Sequence, residues 1–454
     1  IAENEKKHSP SINAEKKNTV YEFLHDRVQQ AVYSLIGEDE KKEKHMAIGF
    51  LLLQNTSTDM LEEKIMSVMD HFNRSLEFIE DPSKRIELAG YNLLAGRKAK
   101  ASAAYASALQ YFKSGTALLA DDAWEHHYRL SFDLYLELAQ AQYLCSDVNG
   151  AEELFDKVLE RAQTELERAD VNSLKVILYA GVGKYTEAVQ TGMKALKNLG
   201  MNIPLHPTKL DYVKELLRYK WSMRNKKIEE LINLPEMNNA KQRKITELLT
   251  RLSYVTMSNY PDLYGFIILK NGNYALKYGI NEMFPIGCLG HGITVGSILG
   301  DYAAGEKYGK LCIQLAEKYD RSSSKCIIYF VTGSLIFHWT RHAAFGLEYL
   351  KKAVDSGMEV GDVVIVGYAN CLLLENQYLM GVTLVEMEEK IRNKHETAKK
   401  IKHDNLMINT VIYKTVVNAL MGRKSGSLAA GVQELEKDEL LRLAPNLSPS
   451  LAGG

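Results

Sequence analysis

Phe23-Leu24-His25-Asp26-Arg27-Val28-Gln29-Gln30 is the stretch whose residue types could do chemistry. Read as a helix, it places His25 and Gln29 four apart on one face, with Glu22 beside them. Phe23, Arg27 and Gln30 fall on another face. A row of imidazole and amide groups can meet a phosphate or a partner domain. The same spacing suits an ordinary solvated face equally well, and the residues alone leave both readings open.

Other polar clusters are weaker. His338 and Trp339, with Arg341 and His342, sit at a hairpin turn, and Tyr302 sits at the matching turn one unit earlier. A solvated turn is their default reading; a groove lining is their functional one. His126 and His127, near Trp124, point about 100° apart on a helix and cannot easily share a metal. No HExxH pattern or Cys/His set supports a metal site. Lys209, Lys214, Arg218, Lys220, Arg224, Lys226 and Lys227 alternate with Tyr212, Tyr219 and Trp221, a pattern that can mark nucleic-acid or lipid surfaces. Asp211 and Glu215 interrupt it, so a solvated face with its aromatics buried is the better reading, and nucleic acid is not expected as a partner. Gly292, Gly296 and Gly300 form a bare stripe that would let two helices touch, rather than a cofactor loop. GxxxxGK[ST] does not occur, and no Ser/His/Asp or Cys/His arrangement can be assembled, so no catalytic residue and no enzyme activity are expected within the chain.

These groups have to be positioned by helices. The 454 residues are 46% hydrophobic and 25% charged, with only nine prolines and few β-rich runs, so an all-α fold is expected. The formal net charge of −1 gives no field for nucleic acid or anionic lipid. No apolar run approaches the ~18 residues of a membrane span, and the chain does not open on a signal peptide. Five scattered cysteines read as reduced thiols of a cytoplasmic protein.

Residues 1–16 read as a frayed linker, as if cut from something longer. Residues 17–80 read as a compact helical module: helices over 18–36, 45–54 and 59–76, with a charged turn from Glu38 to Lys44. From Pro82 onward helices pair, about 40 residues to a pair. Small residues mark the hairpin contacts: Ala104, Ala151, Ala188, Gly265, Gly305 and Gly346 are 47, 37, 77, 40 and 41 apart, the 77 holding one degenerate unit. This is the tetratricopeptide rhythm, and it predicts an α-solenoid of seven or eight hairpins over residues 81–421 whose superhelix carries a groove. Gly- and Pro-bounded loops at Leu199–Pro207 and Leu234–Met237 break the rhythm. Residues 422–454 read as a capping helix and a disordered tail.

Phe23-x-His25-x-x-x-Gln29-Gln30 followed by an apolar helix resembles the winged-helix segment of signal-transducing ATPases with numerous domains. Longer motifs look like one group of very large bacterial and fungal signalling proteins. They are Phe23–Ile36, His45-Met-Ala-Ile48-Gly49, Ala89-x-x-Asn92-Leu-x-Ala95-Gly96, Leu199-Gly200-x-x-Ile203-Pro204 and Leu231-x-x-Leu234-Pro235. Such proteins join a Ser/Thr-kinase-like domain, an AAA-type ATPase, a tetratricopeptide-like region, a GAF domain and usually a histidine kinase. The resemblance covers about residues 18–440.

It implies a winged-helix-like module followed by a sensor. His25 would contact the β-phosphate of ADP, but only with a P-loop that this chain lacks. Phe23, Arg27, Gln29 and Gln30 would face the adjacent ATPase domain. No cofactor is expected in this part, ATP or ADP belonging to the parent. The groove, with His338, Trp339, Arg341 and Tyr302, would bind a protein, a peptide or a small effector. The rival reading is a scaffold that binds partner proteins without any nucleotide link.

Overall fold

Charge placement starts the first described helices. The computed structural model describes residues 2–3, 21–22, 26–319 and 322–423. Helix α1 (Asp26–Ser34) is shorter than the expected 18–36, and Tyr21–Glu22 pairs antiparallel with Ala2–Glu3. The charged stretch Glu38–Lys44, expected as a turn, is instead the start of helix α2 (Glu38–Gln54). Three acidic residues in its first turn favour the positive helix end, and Lys41–Glu38 and Lys44–Glu40 pairs at 2.6 and 3.0 Å brace it. Helix α3 (Thr58–Phe72) packs back on α2, with the Phe72 ring against the bare backbone of Gly49. A single 3₁₀ turn, Leu76–Phe78, then leads to helix α4 (Pro82–Ala101). Among residues 26–423 as described there is no strand element, so no wing follows α3.

Pro82 occupies the first turn of α4, where its missing N–H costs nothing, and Asp81 caps that turn through the Ser83 amide. Helix α5 (Tyr105–Ala117), a short α6 (Ala123–His126), α7 (Tyr128–Leu144) and α8 (Val148–Arg161) follow. One core runs from Ile65, Met69 and Phe72 through Leu88 and Phe112 to Leu134, without a break at residue 80. These elements belong to the first of two compact units, which divide at Ala162/Gln163.

The second unit opens with helix α9 (Glu165–Gly181), started by a Thr164–Glu167 capping box, and α10 (Tyr185–Asn198). Helix α11 (Lys209–Met223) then leaves the hairpin order. The next pair is α12 (Ala240–Asn259) and α13 (Pro261–Tyr278); α12 packs on both α9 and α10, while α11 lies on α13. The degenerate repeat unit is therefore one helix laid over its neighbour. This explains the Gly265 marker: a Cβ there would meet the Tyr212 hydroxyl of α11 at 2.8 Å. Helices α14 (Phe284–Gly292), α15 (Tyr302–Lys318), α16 (Ser322–Val331), α17 (Ala343–Val360), α18 (Val363–Leu379), α19 (Leu384–Ile401) and α20 (Asp404–Leu420) complete the described part. Pairs α4–α5, α7–α8, α9–α10, α12–α13, α14–α15, α16–α17 and α18–α19 are antiparallel hairpins, which makes this an all-α fold of tetratricopeptide-like repeats.

Helices α14 and α16 each run on into a π-helical segment, Ile293–Ile298 and Thr332–Ile336. In both, backbone touches backbone through paired glycines, Gly296 against Gly305 and Gly333 against Gly346. Gly292 lies on the same face, but Gly300 does not: at φ +83° it turns the chain into α15. Between α13 and α14 the approach is just as close. A Cβ on Gly290 would lie 2.6 Å from the Ile268 carbonyl oxygen. Because that obstacle is main chain, Gly290→Ala will separate α13 from α14 and cost about 2 kcal/mol or more. Urea unfolding followed by circular dichroism checks this, and an unchanged midpoint would contradict the packing.

None of the five cysteines is in a disulfide; Cys288, Cys312 and Cys326 are buried. Among the described residues no helix is long and apolar enough to cross a membrane, and no group of His, Cys, Asp and Glu is placed to hold a metal.

Candidate functional site

Where α11 lies on α13, the second unit leaves a polar cleft of about 610 Å³. Its walls come from four pieces of chain. The end of α10 supplies Leu199–Asn202, α11 supplies Glu215 and Arg218, the start of α12 supplies Asn239, Lys241 and Gln242, and α13 supplies the floor. The floor residues Lys270, Asn273, Tyr274, Lys277 and Tyr278 recur at three- and four-residue spacing, so they share one face of α13.

Local sequence sets each wall. Helix α10 ends in a Schellman turn: Gly200 takes φ +84°, Met201 N donates to Leu196 O at 2.8 Å and Gly200 N to Lys197 O at 2.9 Å. The Leu196 and Lys197 carbonyls are thereby closed off. Thr208 and Asp211 form a capping box that starts α11, and Asn239 caps α12 by accepting from the Gln242 amide at 3.1 Å.

The cleft has a rigid base. Glu215 is buried and accepts from Lys270 Nζ at 2.9 Å, from Arg218, and from Asn273 Nδ2 at 3.0 Å. Burial pushes its carboxyl up, but the hydrogen bonds from Asn273 and Lys270 and the charges of Lys270 and Arg218 outweigh that and hold it below the usual range. Asn273 Nδ2 also donates to the Glu215 main-chain oxygen at 2.9 Å, so its Oδ1 is left to accept from His291 Nε2 at 3.1 Å. His291 is fully buried between Tyr219 and Tyr308, and its ring lies against the bare backbone of Gly272. Burial pulls its pKa down to about 3, so it stays neutral. The chain Glu215–Asn273–His291 thus ties α11, α13 and α14 together under the cleft.

The charge balance on the walls favours anions. Arg218, Lys241, Lys270 and Lys277 face one carboxylate, Glu215, which Lys270 and Arg218 already engage. Tyr274 and Tyr278 pack with ring centroids 4.5 Å apart and add an aromatic surface. The sequence reading missed this cleft. Its one visible signal is the Lys270-x-x-Asn273-Tyr274-x-x-Lys277-Tyr278 stripe on an otherwise apolar helix.

The groove residues expected from sequence come together elsewhere, at the ends of two successive hairpins. Tyr302 and Trp339 stack at 4.9 Å with planes 12° apart, and both stay well exposed. Trp339 Nε1 donates to Ser297 Oγ at 3.0 Å, and Ser297 donates to Leu335 O at 2.9 Å, joining the two π segments. His338 sits 4.5 Å from the Trp339 ring. Arg341 Nε donates to Glu306 at 3.0 Å; that bond, with help from Lys310, lowers the Glu306 carboxyl to about 2. The charge of Arg341 is therefore already matched, and this cluster offers a stacked aromatic surface rather than a charged one.

His25 and Phe23 lie outside the described residues. Arg27 and Gln30 are exposed on α1, and the Gln29 side chain is also outside the described set. Trp221, expected to be buried, is 74% exposed, in line with Leu210, Val213 and Leu217 along the outer face of α11.

No known family profile matches the chain. A curated relative from Dictyostelium discoideum, hybrid signal transduction histidine kinase G, is 24% identical over 413 residues, a match covering 81% of this chain and 12% of that protein. The chain thus spans about an eighth of its relative's length. Among solved structures, a Signal Transduction ATPase with Numerous Domains protein with a tetratricopeptide repeat sensor, from Pyrococcus horikoshii, overlays with TM-score 0.46 and 13% identity, covering 95% of this chain and 68% of that one. A Rap protein complexed with Competence and Sporulation Factor gives 0.36 and 11%, over 86% of this chain and 100% of that one. Aspartyl phosphate phosphatase F from Bacillus subtilis gives 0.35 and 13%, over 85% and 94%. At these scores the hairpin packing itself, not the overlays, carries the fold.

Proposed function

We propose that this chain is the non-catalytic sensing region of a larger signalling protein, and that ligand or partner binding on its hairpins is coupled to an upstream nucleotide switch. The observation that carries the reading is a ligand-sized polar cleft built into a stack of helical hairpins. The similarity to a small part of a hybrid histidine kinase supports a signalling parent. In this reading residues 17–80 form a helical module between sensor and ATPase, winged-helix-like by its sequence motif though without a wing among its described residues. His25 reaches the phosphates of ADP once a P-loop is present, and Phe23, Arg27, Gln29 and Gln30 face the ATPase domain. The exposed Tyr302–Trp339 stack, with His338 and Arg341 beside it, serves a protein or peptide partner. A ligand acts on such a switch only through different affinities for its two states.

The test is calorimetry of ADP binding to the longer protein that contains the P-loop. His25→Ala will weaken ADP at least tenfold, since it removes one hydrogen bond to a charged group. Equal affinities would leave a nucleotide-independent scaffold as the function.

A further inference from the structure

We infer that the cleft between the end of α10, α11, the start of α12 and α13 is a binding site for a small organic phosphate that carries a planar ring. This names a ligand class for the sensing function above and rests on that reading only for its signalling consequence. Binding itself is a property of this chain.

Charge comes first. Of the four cations on the walls, Lys270 and Arg218 are held by Glu215. Lys241 and Lys277 are exposed, stand on different helices, and are in no ion pair among the described residues. Lys277 instead lies over the Tyr278 ring at 4.7 Å. Two lysines with no carboxylate partner among the described residues, both lining one cleft, are point charges suited to a compact dianion.

Helix geometry adds to this independently. Asn239, which caps the 20-residue helix α12, and Lys241 and Gln242 in its first turn line the same cleft. Asn239 already engages the Gln242 amide, and the positive end of the helix dipole still favours an anion there. The opposing feature would be the carbonyl end of α10, where the Schellman turn already engages the Leu196 and Lys197 oxygens.

Size and surface then set the rest of the ligand. A phosphate alone fills little of about 610 Å³, a volume typical of sites for drug-sized molecules. The remaining wall offers the Tyr274 and Tyr278 rings, and Asn202 and Gln242 line the same cleft. Those groups suit a flat, polar-edged ring better than an aliphatic tail. The Glu215–Asn273–His291 chain holds the floor in place before anything binds, which lowers the ordering cost.

Titration calorimetry on the full 454-residue chain at low salt tests this, with AMP, adenosine and inorganic phosphate as probes. AMP will bind, and adenosine and phosphate will each bind at least tenfold more weakly. Lys241→Ala with Lys277→Ala will weaken AMP at least tenfold. Tyr274→Leu will weaken AMP severalfold and leave phosphate unchanged. Lys220→Ala, exposed on α11 and not in the cleft, will change nothing. The inference is overturned if AMP gives no heat, if the double lysine variant binds it as well as the parent, or if hexaglutamate binds more tightly than AMP. All of these lysines are exposed, so loss of folding does not confuse the result. A null result with AMP would leave the coupling of sensor to nucleotide switch untouched, since that is measured as ADP binding to the longer protein.

Discussion

Glu215→Ala will cost the second unit about 3–5 kcal/mol, the usual penalty for removing one partner of a buried ion pair. Lys270, whose side chain is 16% exposed, would be left without its carboxylate, and Asn273 would lose one of its two acceptors. Arg218 can turn to solvent, because its side chain is 61% exposed. The loss should therefore trace mainly to Lys270. Urea midpoints by circular dichroism measure it, and the chain's two units call for fitting separate transitions rather than one. Replacing the pair together, Glu215→Leu with Lys270→Met, will recover most of the stability, because an apolar pair avoids the desolvation that the ions suffer. If Glu215→Ala fell within about 1 kcal/mol of the parent, the network would not be bracing the cleft.

Acid will weaken the same region through His291. Its folded pKa is depressed to about 3, while an unfolded histidine titrates near 6.5. Below pH 6.5 the unfolded chain takes up a proton that the folded chain refuses. The contribution of His291 is thus fully present above about pH 6.5 and falls by up to ~1.4 kcal/mol per pH unit down to about pH 3. At pH 5 the loss is about 2 kcal/mol. Its packed neighbours Tyr219, Tyr308 and Asn273 carry no charge that would offset this. Other histidines, His45 and His71 among them, are also lowered by burial and add to the total slope. The measurement is therefore a difference: urea midpoints at pH 7.5 and pH 5 for the parent and for His291→Gln. The variant will show the shallower dependence, and identical slopes would mean that His291 is protonated in the fold.

Much of the fold is legible in the residues because its signals are local. Ala151 and Ala188 mark hairpin contacts because a small side chain is needed wherever two helix axes come close. Pro82 after Asp81 announces α4 for the same local reason. What escaped depends on the path of the chain. Glu215 looked like an interruption in a basic helix, yet once α11 lies on α13 it is the buried residue on which the site is centred. Nothing within residues 209–223 says which face will be covered, so Trp221 was expected inside and is found outside. Glu38–Lys44 read as a turn because it is so charged, whereas its i,i+3 and i,i+4 pairs make it helical.

The glycine contacts of the second unit also have a mechanical meaning. Between α13 and α14, α14 and α15, and α16 and α17, main chain rests directly on main chain. Side chains normally act as compliant bearings, changing rotamer so that helices can slide a little past each other. With glycine on both sides there is no rotamer to change, and a displaced helix pushes its neighbour bodily. The floor of the cleft is α13, the first member of that series. A load applied at Lys277 or Tyr274 therefore enters a train of nearly rigid couplings that runs through α14 to α15, rather than being absorbed where it arrives.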